Sequence, residues 1–462
     1  MYARKYRKNM SRRLATLLLA GAALALATVA QAGPKIQSWT TGNGAQVLFV
    51  AAPELPMVDL RVVFDAGSAR DDGTPGLASL TNALLSEGAG AWDADQIAER
   101  LDEVGAELGS GSLRDMAWMS VRSLTEPKAL DTALETLSAI LTKPTFPAGA
   151  LERLRQATLV GLRQSEQNPG SVGRKAFFRE VYGDHPYATD PEGTVASVQA
   201  LTREEVVAYY KRYYVAKNAV VAIVGALDRP AAEKLAERLV GALPAGEHAP
   251  ALPDVKPLEK ARTRRIAFPS SQTHIYAGQP GIRRGDPDYF PLFVGNHILG
   301  GSGLVSLLSE EVREKRGLSY SVSSYFLLMR KPGPFLAGLQ TKNSQADEAL
   351  KVMMETIHRF VQEGPTDKQL EAAKQNITGG FPLRISSNKK IVEYLAMIGF
   401  YGLPLDYLDR FTGRVEAVTK EQIRDAFRRH LHPDRFVTVI VGPEASAPPD
   451  TKKMPPSVAP RG

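Results

Sequence analysis

The chain has no cysteine. Disulfides, thiolate metal sites and a lipid-modified cysteine behind an export signal are thereby excluded, and folding needs no oxidant. Histidine is scarce as well: His185, His248, His274, His297, His358, His430 and His432 are the whole set, and none has a second histidine four residues on. The helical imidazole pair that holds a catalytic Zn2+ is therefore missing. No phosphate-binding glycine motif is present, and Gly300-Gly301-Ser302-Gly303-Leu304 only approaches the G-x-S-x-G of a serine nucleophile, without its last glycine or the apolar strand before it.

Long apolar runs are confined to the N-terminus. Arg4, Lys5, Arg7, Lys8, Arg12 and Arg13 precede the apolar stretch 14–30, and Ala30-Gln31-Ala32 reads as a cleavage site before Gly33. The pattern predicts a signal peptide over 1–32, cleaved after Ala32, and an exported protein with no membrane anchor after cleavage, for which a bacterial periplasm is the expected setting. Ser11-Arg12-Arg13 leaves Sec and twin-arginine export both open. Without those six cations the 57 basic residues fall to 51 against 50 acidic, so no basic surface argues for nucleic acid.

What the mature sequence does contain is a marked stretch at 300–325, GGSGLVSLLSEEVREKRGLSYSVSSY. Leu304, Leu307, Leu308 and Val312 recur at helical spacing, and Gly317 is placed as a left-handed stop. Alternation from Leu318 to Phe326 then predicts a strand. Arg313 in the last helical turn and Tyr320 on the strand meet at a corner where a guanidinium and a phenol can converge on one carbonyl or carboxylate. On spacing alone they equally read as a helix-end cation and an ordinary strand aromatic.

The chain repeats itself. Ala200-Leu201-Thr202-Arg203-Glu204 aligns with Ala417-Val418-Thr419-Lys420-Glu421, and the offset of 217 holds to Ile223-Val224-Gly225 against Ile440-Val441-Gly442. Ala66-Gly67, Ala133-Leu134 and Leu151-Glu152 recur at offsets of 211, 216 and 219. The expected plan is α+β: two homologous domains, 33–243 and 262–445, each a mixed or antiparallel sheet with packed helices. A solvated linker joins them over 244–261, and the tail 446–462 is too poor in apolar residues to fold. Helices are predicted at 76–88, 93–108, 128–141, 147–166 and 202–213, and strands at 36–41, 47–51, 57–64, 116–123 and 219–224.

The glycine loop followed by LLSEEVREKRGLSYSV resembles the C-terminal-half signature of the insulinase-like (M16, pitrilysin-type) zinc peptidases and mitochondrial processing peptidases, and the duplicated plan resembles that family across nearly the whole mature chain. The resemblance implies a clamshell. It implies that Arg313 and Tyr320 hold substrate backbone, with Gly300, Gly301, Ser302 and Gly303 admitting the peptide closely. It also locates the family's H-x-x-E-H zinc helix in FDAGSARDDGTPGLASLTNALLSEGAG. There Ser79 and Ala83 stand at the histidine positions and Asn82 at that of the glutamate base, while Val160 or Gly161 stands at the third ligand. A hydroxyl, a methyl and a carboxamide cannot bind Zn2+ or activate its water. The expectation is a non-catalytic, substrate-holding subunit that binds no cofactor and is inactive alone, working in a periplasmic heterodimer whose H-x-x-E-H partner carries the zinc and cleaves peptides. The alternative is a scaffold or peptide-binding protein without proteolysis.

Overall fold

The computed structural model describes residues 33–444. The signal expected at 1–32 and the tail expected at 446–462 lie outside the described residues.

Each half builds one large sheet, and the first also holds a two-stranded ribbon, Gly88–Ala89 with Trp92–Asp93. In the first, β1 (Gln37–Thr40), β2 (Gln46–Ala51), β3 (Met57–Phe64), β4 (Glu107–Ser112), β5 (Ala117–Leu124) and β6 (Ala219–Gly225) lie in the order β1-β2-β6-β3-β5-β4. In the second, β7 (Arg262–Ala267), β8 (Gln272–Pro280), β9 (Ser319–Phe326), β10 (Pro334–Lys342) and β11 (Val437–Gly442) lie in the order β9-β10-β8-β11-β7. Pairing within both sheets is antiparallel except where β2 meets β6 and β7 meets β11. The helices leading to β6 and β11 open with the same device, a capping box at Thr202 with Glu205 and at Thr419 with Gln422. The repeated threonines thus mark the same point of one architecture.

The halves hold each other by exchanging a helix. Six helices matter here: α1 (Leu77–Leu84), α2 (Ala148–Glu166), α3 (Pro169–Tyr182), α4 (Tyr289–Asn296), α5 (Asp367–Arg384) and α6 (Asn388–Tyr401). α3 belongs to the first half but packs on β8 and β11 of the second, while α6 of the second packs on β2, β3 and β6 of the first. Their first and last residues stand at one offset, 219. β2 is consequently buried on both faces: Val47 and Phe49 enter the first half's core, Leu48 and Val50 a core shared with Val392, Leu395 and Phe400 of α6. That explains an unbroken apolar run where a half-exposed strand would alternate. Gly399 is needed at this contact, since a Cβ there would lie 2.5 Å from Val220 Cγ1.

A polar knot closes the same junction. Asp115 accepts hydrogen bonds from Tyr187 Oη at 2.5 Å, from Arg330 N at 2.6 Å and from Tyr401 Oη at 3.0 Å. Burial pushes its carboxyl above the usual range, against those three donors.

Several expectations are corrected. The helix predicted over 93–108 ends at Asp102; Gly105, at φ +63°, turns the chain and β4 follows. The helix predicted after the glycine loop is broken into a π-helical turn His297–Gly301, a 3-10 turn Gly303–Val305 and a second π-helical turn Ser309–Glu314. Leu308 and Val312 are buried as its spacing requires, but Leu304 is 63% exposed. The linker is not simply solvated. Pro250 O accepts from Arg70, Pro253 O from His185 Nε2, Lys331 pairs with Asp254, and Leu252 is buried.

Candidate functional site

At the zinc-helix position, α1 carries no ligand. Ser79 and Ala83 are half-buried, and Ser79 lines a cavity of about 530 Å3 between the halves together with Ser112, Arg114, Arg174, Lys175, Asp190 and Tyr401. Val160 and Gly161 of α2 are exposed. Asn82 is 2% exposed and fully engaged: its Nδ2 donates to Gly111 O at 3.1 Å and lies 3.5 Å from Trp118 O, while its Oδ1 accepts from Tyr214 Oη at 3.1 Å. It therefore brackets α1 to β4 and β5. The second half repeats the bracket: Asn296 at the end of α4 donates to Ser324 O of β9 at 2.9 Å and accepts from Ser324 Oγ at 2.7 Å. Where a peptidase of this plan needs a base, this chain has a structural carboxamide.

The other expected corner is assembled. Gly317 adopts φ +61° and its N–H donates to Arg313 O, closing the second π-helical turn. Glu311 fixes that turn from within: Arg316, Lys315 and, from the helix Ala346–Glu363, Arg359 converge on its carboxylate. The hydrogen bond from Arg316 leads in holding its pKa down to about 2. Arg313 itself has one ionic partner among the described residues, the adjacent Glu314 at 3.4 Å.

Tyr320 is turned outward by a β-bulge. Ser319 pairs with Thr341 and Ser321 with Gln340, which leaves Tyr320 as the extra residue, 76% exposed. The Ser319 hydroxyl holds the bulge, 2.7 Å from both Ser321 O and Gln340 O. Arg313 and Tyr320 then line one open pocket of about 330 Å3 with Gly317, Gln340, Lys342 and Gln345. Strand alternation had put Tyr320 on the face of Leu318 and Val322; the bulge separates them. Neither Ser319 nor Glu311 stands out in the sequence, because a bulge and a π-helical turn have no signature in period two or four.

The glycine loop is elsewhere. Gly300, Gly301 and Gly303 line a different cavity beside the far end of β9; Ser302 lines neither pocket. At Gly300 a Cβ would meet Ser324 Oγ at 2.4 Å, and at Gly301 Asn296 Nδ2 at 2.9 Å. Packing of the loop on its own strand thus requires both glycines; only Gly303, at φ +64°, faces open space.

His185 and His297 stand outside the cluster able to surround a cation among the described residues. His185 Nδ1 accepts from Tyr187 N and its Nε2 faces Pro253 O, which fixes a neutral turn residue that burial holds below the ordinary imidazole pKa. His297, half-buried, lines the glycine-loop cavity. Among the described residues, Asp286, Asp288 and His430 are the one cluster able to surround a cation. Arg429 already occupies both Asp288 oxygens and His430 Nε2 lies 2.8 Å from one of them, so the group reads as an ion-paired brace.

A duplicated α+β shell with an Arg/Tyr corner, and with Ser79, Asn82 and Ala83 at the zinc-helix positions, defines the class: a metallopeptidase-fold protein that lacks the catalytic zinc motif. The comparisons agree. Residues 46–194 match the pattern described as Insulinase (Peptidase family M16) and residues 200–377 that described as Peptidase M16 inactive domain. The crystal structure of a peptidase M16 inactive domain from Pseudomonas fluorescens is 40% identical, with a TM-score of 0.86, over 90% of this chain and 99% of that one. An uncharacterized zinc protease of Streptomyces coelicolor is 26% identical over 88% of this chain and 90% of its own length. The non-peptidase homolog YmxG of Helicobacter pylori is 26% identical over 84% and 89%. The chain belongs to peptidase family M16, and within it to the members that lack the catalytic motif.

Proposed function

We propose that the chain is the substrate-holding, non-catalytic subunit of a heterodimeric zinc metalloendopeptidase in the periplasm. The observation that carries this reading is an asymmetry. Every ligand position on the zinc side is lost and Asn82 is committed to structure, yet the half-buried Arg313, paired only with its neighbour Glu314, and the exposed Tyr320 line one pocket. Structural residues acquire partners from other elements; among the described residues Arg313 pairs only with the adjacent Glu314. A partner bearing H-x-x-E-H supplies Zn2+ and the activated water, and this chain fixes the peptide backbone against it, which lowers the entropic part of the barrier. The N-terminal segment 1–32 supports export.

The test is cleavage of a quenched fluorescent peptide by the mixed subunits with Arg313→Ala or Tyr320→Phe in this chain. Turnover falls while co-purification of the two chains is unchanged; full turnover in both variants removes the assigned role. The scaffold reading is favoured by one observation, the non-peptidase homolog among the relatives, and predicts that adding this chain to an H-x-x-E-H homologue brings no gain in cleavage.

A further inference from the structure

The cavity beside the glycine loop is not used by the Arg313–Tyr320 corner. It measures about 500 Å3 and is walled by Tyr289, Phe293, Tyr325, Phe326 and Leu328. Asn296 and Ser324, also in the wall, satisfy each other. No acidic residue lines it, whereas Arg384, the last residue of α5, does. The Arg384 guanidinium stands 6.0 Å from the Phe293 ring and forms no ion pair among the described residues. Burial, and next the charge of Arg384, hold His297 below its ordinary pKa, so the imidazole beside the guanidinium is neutral. The chain neighbours of two lining residues are apolar and outward: Leu304 and Val305 follow Gly303 and are 63% and 83% exposed, and Leu383, before Arg384, is 69% exposed.

An aromatic-walled cavity with one uncompensated guanidinium and no carboxylate selects an apolar body that carries a single negative group. Guanidinium binds a carboxylate through two parallel hydrogen bonds, which suits a terminal carboxylate better than a buried side-chain ester or amide. The volume suits one large residue and part of its neighbour. One wall is β9, the edge strand of its sheet, along which an extended chain can lie.

We propose that this cavity is a peptide-terminus site: it receives the last residue of a peptide ending in a large apolar side chain, with the free α-carboxylate on Arg384. That the ligand is a peptide rests on the reading of the chain as a peptide holder. The site lies along β9 from Tyr320, so one strand carries a backbone-holding corner at its start and a terminus anchor near its end.

The experiment measures binding of labelled short peptides to the full chain by fluorescence anisotropy. The peptides are identical except for a terminal Phe carboxylate, a terminal Phe amide, or a terminal Gly carboxylate. The Phe acid binds about tenfold or more tightly than either control, as expected for a charge-assisted hydrogen-bonded contact. Arg384→Gln, at an exposed position, brings the acid to the level of the amide and leaves the amide unchanged. Equal binding of acid and amide, a preference that survives Arg384→Gln, or absence of binding overturns the proposal. So does displacement of the Phe acid by decanoate at lower concentration than by unlabelled peptide, which would assign the cavity to fatty acids. The outcome separates from that of the holder role: Arg313→Ala slows cleavage in the mixture if that role is right, yet keeps the acid preference here.

Discussion

Asn82 accepts the Tyr214 hydroxyl at 3.1 Å, at the position where a catalytic member of the family carries its glutamate base. The same amide donates to Gly111 O. A carboxylate at 82 would set an oxygen against that carbonyl, and against Trp118 O behind it, with no donor to replace the lost hydrogen bond. Loss of the ligands is therefore built into the packing between α1, β4 and β5.

It follows that reinstating the motif fails. The triple variant Ser79→His, Asn82→Glu, Ala83→His gains no chelator-sensitive peptidase activity alone. Asn82→Asp by itself lowers stability by about 1–3 kcal/mol, the cost of an unsatisfied buried acceptor. Urea unfolding followed by circular dichroism measures the second effect; an unchanged midpoint would show that the bracket is dispensable.

On the holder reading Ser319 affects substrate only through Tyr320. Ser319→Ala leaves the bulge without its hydroxyl link and lowers cleavage by the mixed subunits toward the level of Tyr320→Phe, with a stability change of only about 1 kcal/mol. The double variant Ser319→Ala, Tyr320→Phe is no worse than Tyr320→Phe alone. Additive losses in that cycle would mean that Ser319 does something other than aim the phenol.

The helix exchange makes the halves interdependent. Gly399→Val pushes a branched side chain into Val220 and forces α6 off the first sheet, at a cost of about 1–3 kcal/mol. One cooperative transition with a lower midpoint is expected in denaturant; two separated transitions in the unaltered protein would contradict the exchange as the bond between halves.

Asp71 links stability to pH. Its carboxylate accepts from Gly76 N and Ala78 N at the start of α1, but burial outweighs both bonds and raises its pKa to about 7. In the unfolded chain it ionises near the ordinary carboxyl value of 3.8. Between these values the folded state holds a proton that the unfolded state has released, so this group's contribution to stability falls as pH rises from 4 to 7 and is level above that. The melting temperature drops by a few degrees across the window, and Asp71→Asn flattens the slope while lowering the starting value.

Much of this architecture is legible in the sequence. Met57–Phe64 coincides with the predicted strand, and the threonine caps at 202 and 419 are visible as one repeated box. The emptied zinc helix and the Arg313–Tyr320 spacing are legible through the family resemblance. The exchanged α3 could not be placed, because Phe177, Phe178 and Val181 find their partners on a strand of the other half, and periodicity reports a buried face without saying what covers it. Leu304 obeys helical spacing yet is exposed, since two π-helical turns shift the register that spacing assumes. The terminal guanidinium of Arg384 is likewise unremarkable in sequence; only the fold brings it beside Phe293 and the glycine loop.

The central claim is division of labour between two chains, and hydrolysis of a quenched fluorescent peptide mixture tests it most directly. The chain is assayed alone, then with an H-x-x-E-H homologue from the same genome, each with and without a zinc chelator. The account predicts silence from this chain alone and chelator-sensitive cleavage by the pair, faster than by the homologue alone. Chelator-sensitive cleavage by this chain alone, or a pair no faster than the homologue, would contradict it.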